Sequence, residues 1–219
     1  MTAFPDTLVI DSATEACSVA LLRAATAGSE VVAGSWQMLG RGHAEALVPL
    51  IAALPARGRA QRIAVALGPG SFTGVRVGLA AARALAFAWD AELVGYPTLA
   101  LLAAQARAEA GAQPVTIATT GGHGEWFVQD FDTDGAATSP LASLAPAAAV
   151  ARGGAALVAG SQAEALVAGR SSGTALPLWS DARAFALLSP ATLTERTEPL
   201  YGRAPDARLP GGRLPEAAG

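Results

Sequence analysis

A chain of 219 residues, 52% hydrophobic and 15% charged, carries enough apolar side chains for one large core or two small ones, and that excludes the disordered class. Its formal charge is −3, and only Arg57, Arg59 and Arg62 come near a basic cluster, so tight binding of RNA phosphates by this chain alone is not expected. All 15 cationic residues are arginine, which excludes a P-loop lysine, a Schiff-base lysine and a lysine general base together.

The first segment, MTAFPDTLVID, lacks a basic region and meets an aspartate inside its apolar run, so it does not read as a signal peptide. No apolar stretch approaches the roughly 20 residues that span a bilayer. Cys17, the single cysteine, has no internal disulfide partner and reads as a small buried apolar residue. The expectation is a cytoplasmic protein with no membrane partner.

Thr7–Asp11, Ser18–Leu22 and Glu30–Met38 predict an antiparallel three-stranded start. Leu47, Leu50, Ile51 and Leu54 recur at helical spacing and predict a helix over Gly42–Leu54, kinked at Pro49. Arg62–Leu67 predicts a buried strand that ends in the turn Gly68-Pro69-Gly70, after which Ser71 or Thr73 can cap a helix running to Trp89. Glu92–Tyr96 predicts a strand, and Pro97-Thr98 starts a helix to about Ala110 by the same cap logic. A meander followed by alternating strands and helices points to an α/β fold with a mixed sheet.

The break at Gly111–Pro114 suggests two subdomains, residues 1–106 and a smaller 107–219. Val115–Thr119, Glu125–Phe131 and Ala155–Ala159 predict strands in the second, and Ala145–Ala151, Gln162–Ala168 and Ala182–Leu188 predict short helices. From Gly202 the chain is dense in Pro, Gly and Arg and predicts an irregular tail.

Two segments carry most of the functional information. Ile10–Leu22, IDSATEACSVALL, is a strand, a turn of small hydroxyl residues and a returning strand. Asp11, Ser12 and Thr14 are its weak phosphate-loop candidates, with Asp11 placed to hold a hydrated cation. The plainer reading has Asp11 and Thr14 close the turn by side-chain bonds to the backbone.

Leu67–Ala86, LGPGSFTGVRVGLAAARALA, is a glycine-rich turn entering a helix, but neither a P-loop nor a dinucleotide GxGxxG: no lysine follows Gly74, and Pro69 to Ser71 break the register. On that helix Val75, Leu79, Ala82 and Ala86 share one face and Gly74, Gly78 and Leu85 the next. A helix apolar over most of its circumference needs cover on more than one side. The expected second cover is a partner, docking on His43, Leu47, Leu50 and Leu54 of one helix and Gly74, Val75, Gly78, Leu79, Ala82 and Leu85 of the other.

Catalytic constellations are missing. His43 and His123 are the only histidines, no metal-binding spacing contains them, and they read as a helix-start residue and a loop residue. No catalytic, metal or confident cofactor residue is assigned.

The pieces IDSATEACSVALL, HAEALVPLI (His43–Ile51), LGPGSFTGVRVGLAAARALA and EPLYGRAPDAR (Glu198–Arg208), in this order, resemble the TsaB (YeaZ-type) family. The resemblance covers most of residues 7–106 and thins between Gly111 and Thr197. There family members commonly read Asp-Ala-Arg where this chain has Thr119-Thr120-Gly121-Gly122-His123.

The resemblance implies an actin/Hsp70/sugar-kinase-like (ASKHA) fold of two duplicated subdomains. It also implies a non-catalytic scaffold or dimerisation subunit that pairs directly with TsaD and works with TsaE. That complex transfers threonylcarbamoyl to N6 of adenosine 37 in tRNAs decoding ANN codons. ATP and metal would be used by the partner subunits, tRNA would be met only through the complex, and the chain alone would form a homodimer. Two alternatives stand beside this: a nucleotide-binding ATPase or phosphotransferase of the same fold using Asp11 and Thr14, and a peptidase-like protein using Cys17 and a histidine.

Overall fold

A computed structural model describes residues 6–25 and 28–202. The chain opens with an antiparallel meander, β1 (Asp6–Asp11), β2 (Ala16–Ala25) and β3 (Gly28–Met38). Helix α1 (His43–Ala52) then crosses to β4 (Arg62–Ala66), parallel to β1, and α2 (Phe72–Trp89) crosses to β5 (Glu92–Tyr96), parallel to β4. The sheet order is β3-β2-β1-β4-β5.

After α3 (Thr98–Ala110) the pattern repeats. Strands β6 (Val115–Thr120), β7 (Trp126–Phe131) and β8 (Ala142–Leu144) form a second meander. Helix α4 (Pro146–Arg152) leads to β9 (Leu157–Ala159), and α5 (Ala163–Arg170) leads to β10 (Thr174–Leu176). The order β10-β9-β6-β7-β8, with β9 parallel to β6 and to β10, reproduces the first sheet strand for strand. This is the duplicated mixed-sheet ASKHA architecture.

The central strand of each sheet is apolar on both faces because both faces are covered. Leu8, Val9 and Ile10 of β1 are wholly buried, as are Val115, Ile117 and Ala118 of β6. Helix α3 serves two cores at once: Leu101 packs into the first, while Leu99, Leu102 and Ala106 pack into the second. A helix with two buried faces cannot show a single apolar stripe.

Several expectations shift locally. Ser71, not Thr73, caps α2, its hydroxyl accepting the Gly74 N–H at 3.2 Å. Thr98 does not cap α3; Pro97 holds the N-cap position and the Thr98 hydroxyl is buried without a partner. Helix α1 stops at Ala52 and is continuous through Pro49, and Ala182–Leu187 is a 3-10 helix. The short strands β8 and β10 had no sequence signal, being only three residues each. The expected irregular tail beyond Gly202 lies outside the described residues.

The chain past β10 returns to the first sheet. Gly95 and Thr194 exchange N–H···O bonds of 2.7 and 3.0 Å, the Leu200 N–H donates to the Leu67 carbonyl at 2.8 Å, and Arg83 donates to the Thr197 carbonyl at 2.6 Å. Nearer β10, the Ala182 N–H donates to the Ser18 hydroxyl at 2.9 Å and the Trp36 indole to the Ser180 carbonyl at 3.2 Å.

The expected exposure of the α2 glycine line is overturned. Gly70 and Gly74 press against the backbone of Ala13 and Ser12, and a Cβ on Gly78 would meet the Ser12 hydroxyl at 2.5 Å, with Ile10 and Val65 at 3.7 Å. Val75, Leu79 and Ala82 are buried at 5%, 2% and 0% exposure, and Leu47, Leu50, Leu54 and His43 are buried in the same interior. The second cover demanded by the apolar helix is thus the chain's own β1–β2 turn. Small residues at i, i+4 spacing permit close approach wherever it occurs, inside a chain as well as between chains.

Gly74→Ala places a methyl group into the Ser12 carbonyl and should destabilise the protein by about 1–3 kcal/mol or more. The solvent-facing Ala84→Gln on the same helix should cost about 0.5 kcal/mol or less. Urea denaturation distinguishes the two, and equal stabilities would contradict the close packing.

Candidate functional site

The β1–β2 turn sits at the junction of the two sheets, and its side chains turn inward. Asp11 is fully buried. Its carboxylate accepts the Ala13 N–H at 3.1 Å, the Ser180 hydroxyl at 2.8 Å and the Tyr96 hydroxyl at 3.1 Å. Burial outweighs these three bonds and pushes the carboxyl up to about 6. Burial, then the Asp11 charge, raises Tyr96 well above its ordinary range, so the phenol stays protonated and donating.

Around this carboxylate the remaining polar groups are satisfied in turn. Thr14 Oγ1 lies 3.0 Å from the Ser180 hydroxyl and accepts the Ala16 N–H at 3.3 Å, and His43 Nε2 lies 2.9 Å from the Thr14 carbonyl. The Ser12 hydroxyl donates to the Gly74 carbonyl at 2.8 Å. Buried polar groups of this kind are costly when unpaired and rigidifying when paired. Asp11 and Thr14 close the turn through backbone bonds, as the plainer sequence reading has it.

Beside this hub lies a cleft of about 890 Å³ between the lobes. Its first-lobe wall is Ala13 to Glu15, Gly70 to Thr73 and Arg76; its second-lobe wall is the β6–β7 turn, Thr119 to His123, with Phe127 and Ser143; Leu200 to Gly202 close one end. Of the three weak phosphate-loop candidates only Thr14 reaches the cleft wall, and Asp11 and Ser12 face the interior. The divergent Thr119–His123 stretch forms one side of the opening.

Cys17 is buried, and burial first, then the Asp11 charge, pushes its thiol up to about 11, which makes it a packing residue and a poor nucleophile. Among the described residues no three His, Cys, Asp or Glu side chains gather as a metal site, and no helix is long and apolar enough to cross a membrane.

The solvent face of α1 and α2 differs from the residues singled out by sequence. It carries Val48, 62% exposed, and Phe87, 91% exposed, among Ala44, Ala52, Ala80, Ala84 and Ala88. The two helices pack against each other, and these side chains lie on their exposed faces. Glu45, Arg76 and Arg83 are the charges on the exposed faces, and both arginines are engaged by the returning C-terminal segment.

Sequence reasoning missed Tyr96, Ser180, Phe72, Arg76 and Tyr201. Ser180 meets Asp11 across 169 residues of chain from a segment without periodicity, so no spacing announces it. Phe72 has a sequence signal, a large apolar residue at the first position of a helix after a glycine-rich turn.

A family model described as "TsaD: tRNA N6-adenosine threonylcarbamoyltransferase" matches residues 37–154, more than half of the chain. The tRNA threonylcarbamoyladenosine biosynthesis protein TsaB of Escherichia coli is 33% identical over 132 residues, 58% of this chain and 55% of that protein. The TsaB protein of Haemophilus influenzae is 36% identical over 101 residues, 44% of this chain and 41% of that protein. The matched stretch thus spans about half the length of these curated relatives. A crystal structure from Pseudomonas aeruginosa, titled as similar to peptidase YeaZ, superposes with a TM-score of 0.73 at 27% identity, covering 90% of this chain and 99% of that one. A structure titled YeaZ from the same organism has the same TM-score at 26% identity and the same coverage.

The raised Asp11 group has a consequence for stability. Its folded pKa of about 6 lies above the ordinary 3.8, so the folded state binds more protons between those values, and stability falls as pH rises through that window. The loss saturates above about pH 6–7 at roughly 3 kcal/mol, taking about 1.4 kcal/mol per pH unit of separation. Asp11→Asn removes this titration. The difference in unfolding free energy, wild type minus Asp11→Asn, should therefore drop between pH 4 and pH 7.5; a difference independent of pH would show that Asp11 does not titrate in this way.

Proposed function

The chain belongs to the TsaB/YeaZ family, and from that premise we propose that it is a non-catalytic pairing subunit of the machinery that makes N6-threonylcarbamoyladenosine in tRNA. The observation that carries the proposal is the outer surface of α1 and α2. Phe87 leaves nearly its whole ring in water, Val48 is exposed on the neighbouring helix, and exposed alanines lie on both helices. Exposed apolar surface of this kind marks interaction sites, and an exposed aromatic side chain with Arg83 one helical turn away offers the residue types of a binding hot spot.

The partner on this surface is TsaD. The family model that matches residues 37–154 is described as TsaD, and that stretch includes α1 and α2. A partner with the same helix pair can pack against this one about a pseudo-twofold axis, apolar face to apolar face. The same surface carries few charges, of one sign on each helix, Glu45 on α1 and the arginines on α2, and so can oppose a second copy of itself, which gives a homodimer when TsaD is absent. TsaE, and the ATP and metal used in the reaction, belong to the assembled complex, and tRNA is met there in the cytoplasm.

The inward-turned Asp11, the buried Cys17 with its raised thiol, and a His43 bonded to the Thr14 carbonyl favour an accessory role over transfer chemistry in this chain. The phosphotransferase alternative would need Asp11 at a ligand, and in this conformation its three bonds hold it away from the cleft.

Phe87→Glu and Val48→Glu alter only exposed positions and should leave the circular dichroism spectrum and melting temperature nearly unchanged. Pull-down or calorimetric titration with TsaD should show affinity weakened by about 30-fold or more for Phe87→Glu, the scale of a hot-spot loss. Wild-type affinity in both variants would move the interface elsewhere. A separate assay, threonylcarbamoyl transfer to tRNA with this chain as the only protein, should give no product, and turnover under those conditions would end the accessory reading.

A further inference from the structure

The second lobe carries a charge cluster at the end of its sheet where β6, β9 and β10 begin, whereas the cleft lies past the end of β6. Asp130 of β7 accepts the Thr116 hydroxyl at 2.7 Å and both Nη groups of Arg152, at 3.3 and 2.5 Å. The Thr116 hydroxyl in turn accepts the Ala155 N–H at 2.8 Å. Arg170, the last residue of α5, has no such partner among the described residues. Its two Nη groups donate to the carbonyls of Gly153 and Ala155, and its Nε is buried without a hydrogen bond.

Two guanidiniums thus share one carboxylate, and Asp130 is already forked on Arg152. Gly154, at φ 139°, holds this crowding open: a Cβ there would meet the Thr116 hydroxyl, Arg170 Nη2 at 3.0 Å and Asp130 Oδ1 at 3.1 Å. Burial first lowers the Arg170 guanidinium from its ordinary value; Asp130 opposes this and Arg152 adds to it. The balance leaves Arg170 a partly buried cation short of negative charge.

Beside Arg170 lies a cavity of about 500 Å³, walled by the loop Gly153–Ala156 and the turn Ser172–Gly173. Among the described residues no hydrogen bond uses the N–H of Gly154, Ala156, Ser172 or Gly173, or the Ser172 hydroxyl. The carbonyls of Gly153, Ala155 and Ala156 are already taken, by Arg170 and by the Thr174 N–H. The wall therefore offers spare donors around a spare positive charge, the composition of an anion site. A purely structural arginine that clamps the Gly153 loop accounts for its two carbonyl bonds, but not for the orphaned Nε or the idle donors opposite.

We propose that this cavity binds a small oxyanion, a phosphate or carboxylate group held by the remaining Nη hydrogens of Arg170, the Ser172 hydroxyl and the amides of the two loops. The two groups share the acceptor oxygens that a guanidinium fork engages. A volume of 500 Å³ exceeds one such group, so the site admits the small solute that bears it. No bond is made or broken there. Occupancy ties the Gly153–Ala156 loop to the turn after α5.

The experiment is NMR titration of the full chain with inorganic phosphate, with glycerol phosphate and with succinate, at an ionic strength held constant with sodium chloride. Saturable shifts are expected at the amides of Gly154, Ala156, Ser172 and Gly173 and at the Arg170 Nε–H. Shifts with the two phosphates alone identify a phosphate site, with succinate alone a carboxylate site, and with all three a general oxyanion site. Arg170→Gln, and Ser172→Leu, which removes a hydroxyl and fills the cavity, should each weaken binding about 10-fold or more, the scale of a lost charge-assisted contact. Ser172 is exposed, so its variant tests the site even where Arg170→Gln loosens the Gly153 loop, and melting temperatures in chloride check the fold of both. The proposal is overturned if no probe saturates, if the shifts fall elsewhere, or if folded variants bind like wild type. Pairing with TsaD, assigned to the other lobe, should be untouched by Ser172→Leu, so failure of the anion site and failure of the pairing role are read separately.

Discussion

The close approach of α2 to the β1–β2 turn is the constraint from which the rest of the molecule follows. Gly70, in the turn before α2, and Gly74 and Gly78 on the helix bring the backbone against Ala13 and Ser12 with no room for a Cβ. That approach seals the turn from water, which is why Asp11 lies in a dry interior with a raised pKa and must be satisfied by Ala13, Ser180 and Tyr96. It also fixes the rotation of α2: with the glycine line and Val75, Leu79 and Ala82 turned inward, Phe72, Arg76, Arg83 and Phe87 must face out. The positions of the cleft wall and of the exposed outer face of α2 are two results of one packing decision.

The duplicated sheets give this packing its context. Each lobe places an antiparallel meander on one side of its central strand and two parallel crossovers on the other, so the first turns of the two lobes, after β1 and after β6, face the same cleft. The lobes then diverge. The first turn is packed under α2 and bonded to Ser180, while the second, Thr119 to His123, is a glycine-bearing rim in which the Gly121 N–H donates back to Glu125 at 2.8 Å. Ser180 and the segment that follows carry the chain back to the first lobe, so the two lobes are joined by α3 and again by this return.

Much of the fold was legible because its strongest elements are local. The meander, α1, α2, β4, β5 and α3 announce themselves by apolar runs, helical spacing and the Ser71 cap, and the mixed sheet follows from their order. The three-residue strands β8 and β10 are too short to carry a period, and their pairing is decided by the sheet they join. The glycine line was legible as close packing, but not which surface it met: sequence records that Gly74 and Gly78 lack side chains and cannot record that Ser12 stands opposite. The sequence pattern therefore points to buried residues as the exposed face, and nothing in it distinguishes Phe87, the most exposed large apolar side chain of α2. Tyr201 and Ser180 were invisible for a different reason, since both act on residues more than 100 positions away.

Pairing is the role we propose for this chain, and membership in the TsaB/YeaZ family and an alanine-rich helix pair with an exposed phenylalanine support it. Hydrogen–deuterium exchange of the full chain with and without TsaD tests that claim most directly, because it reports every backbone amide without altering a side chain. Added protection should concentrate in residues 43–52 and 72–89, on the two helices that carry Val48 and Phe87. Protection confined to the edge strand β3 or to the second lobe, with α1 and α2 unchanged, would contradict it.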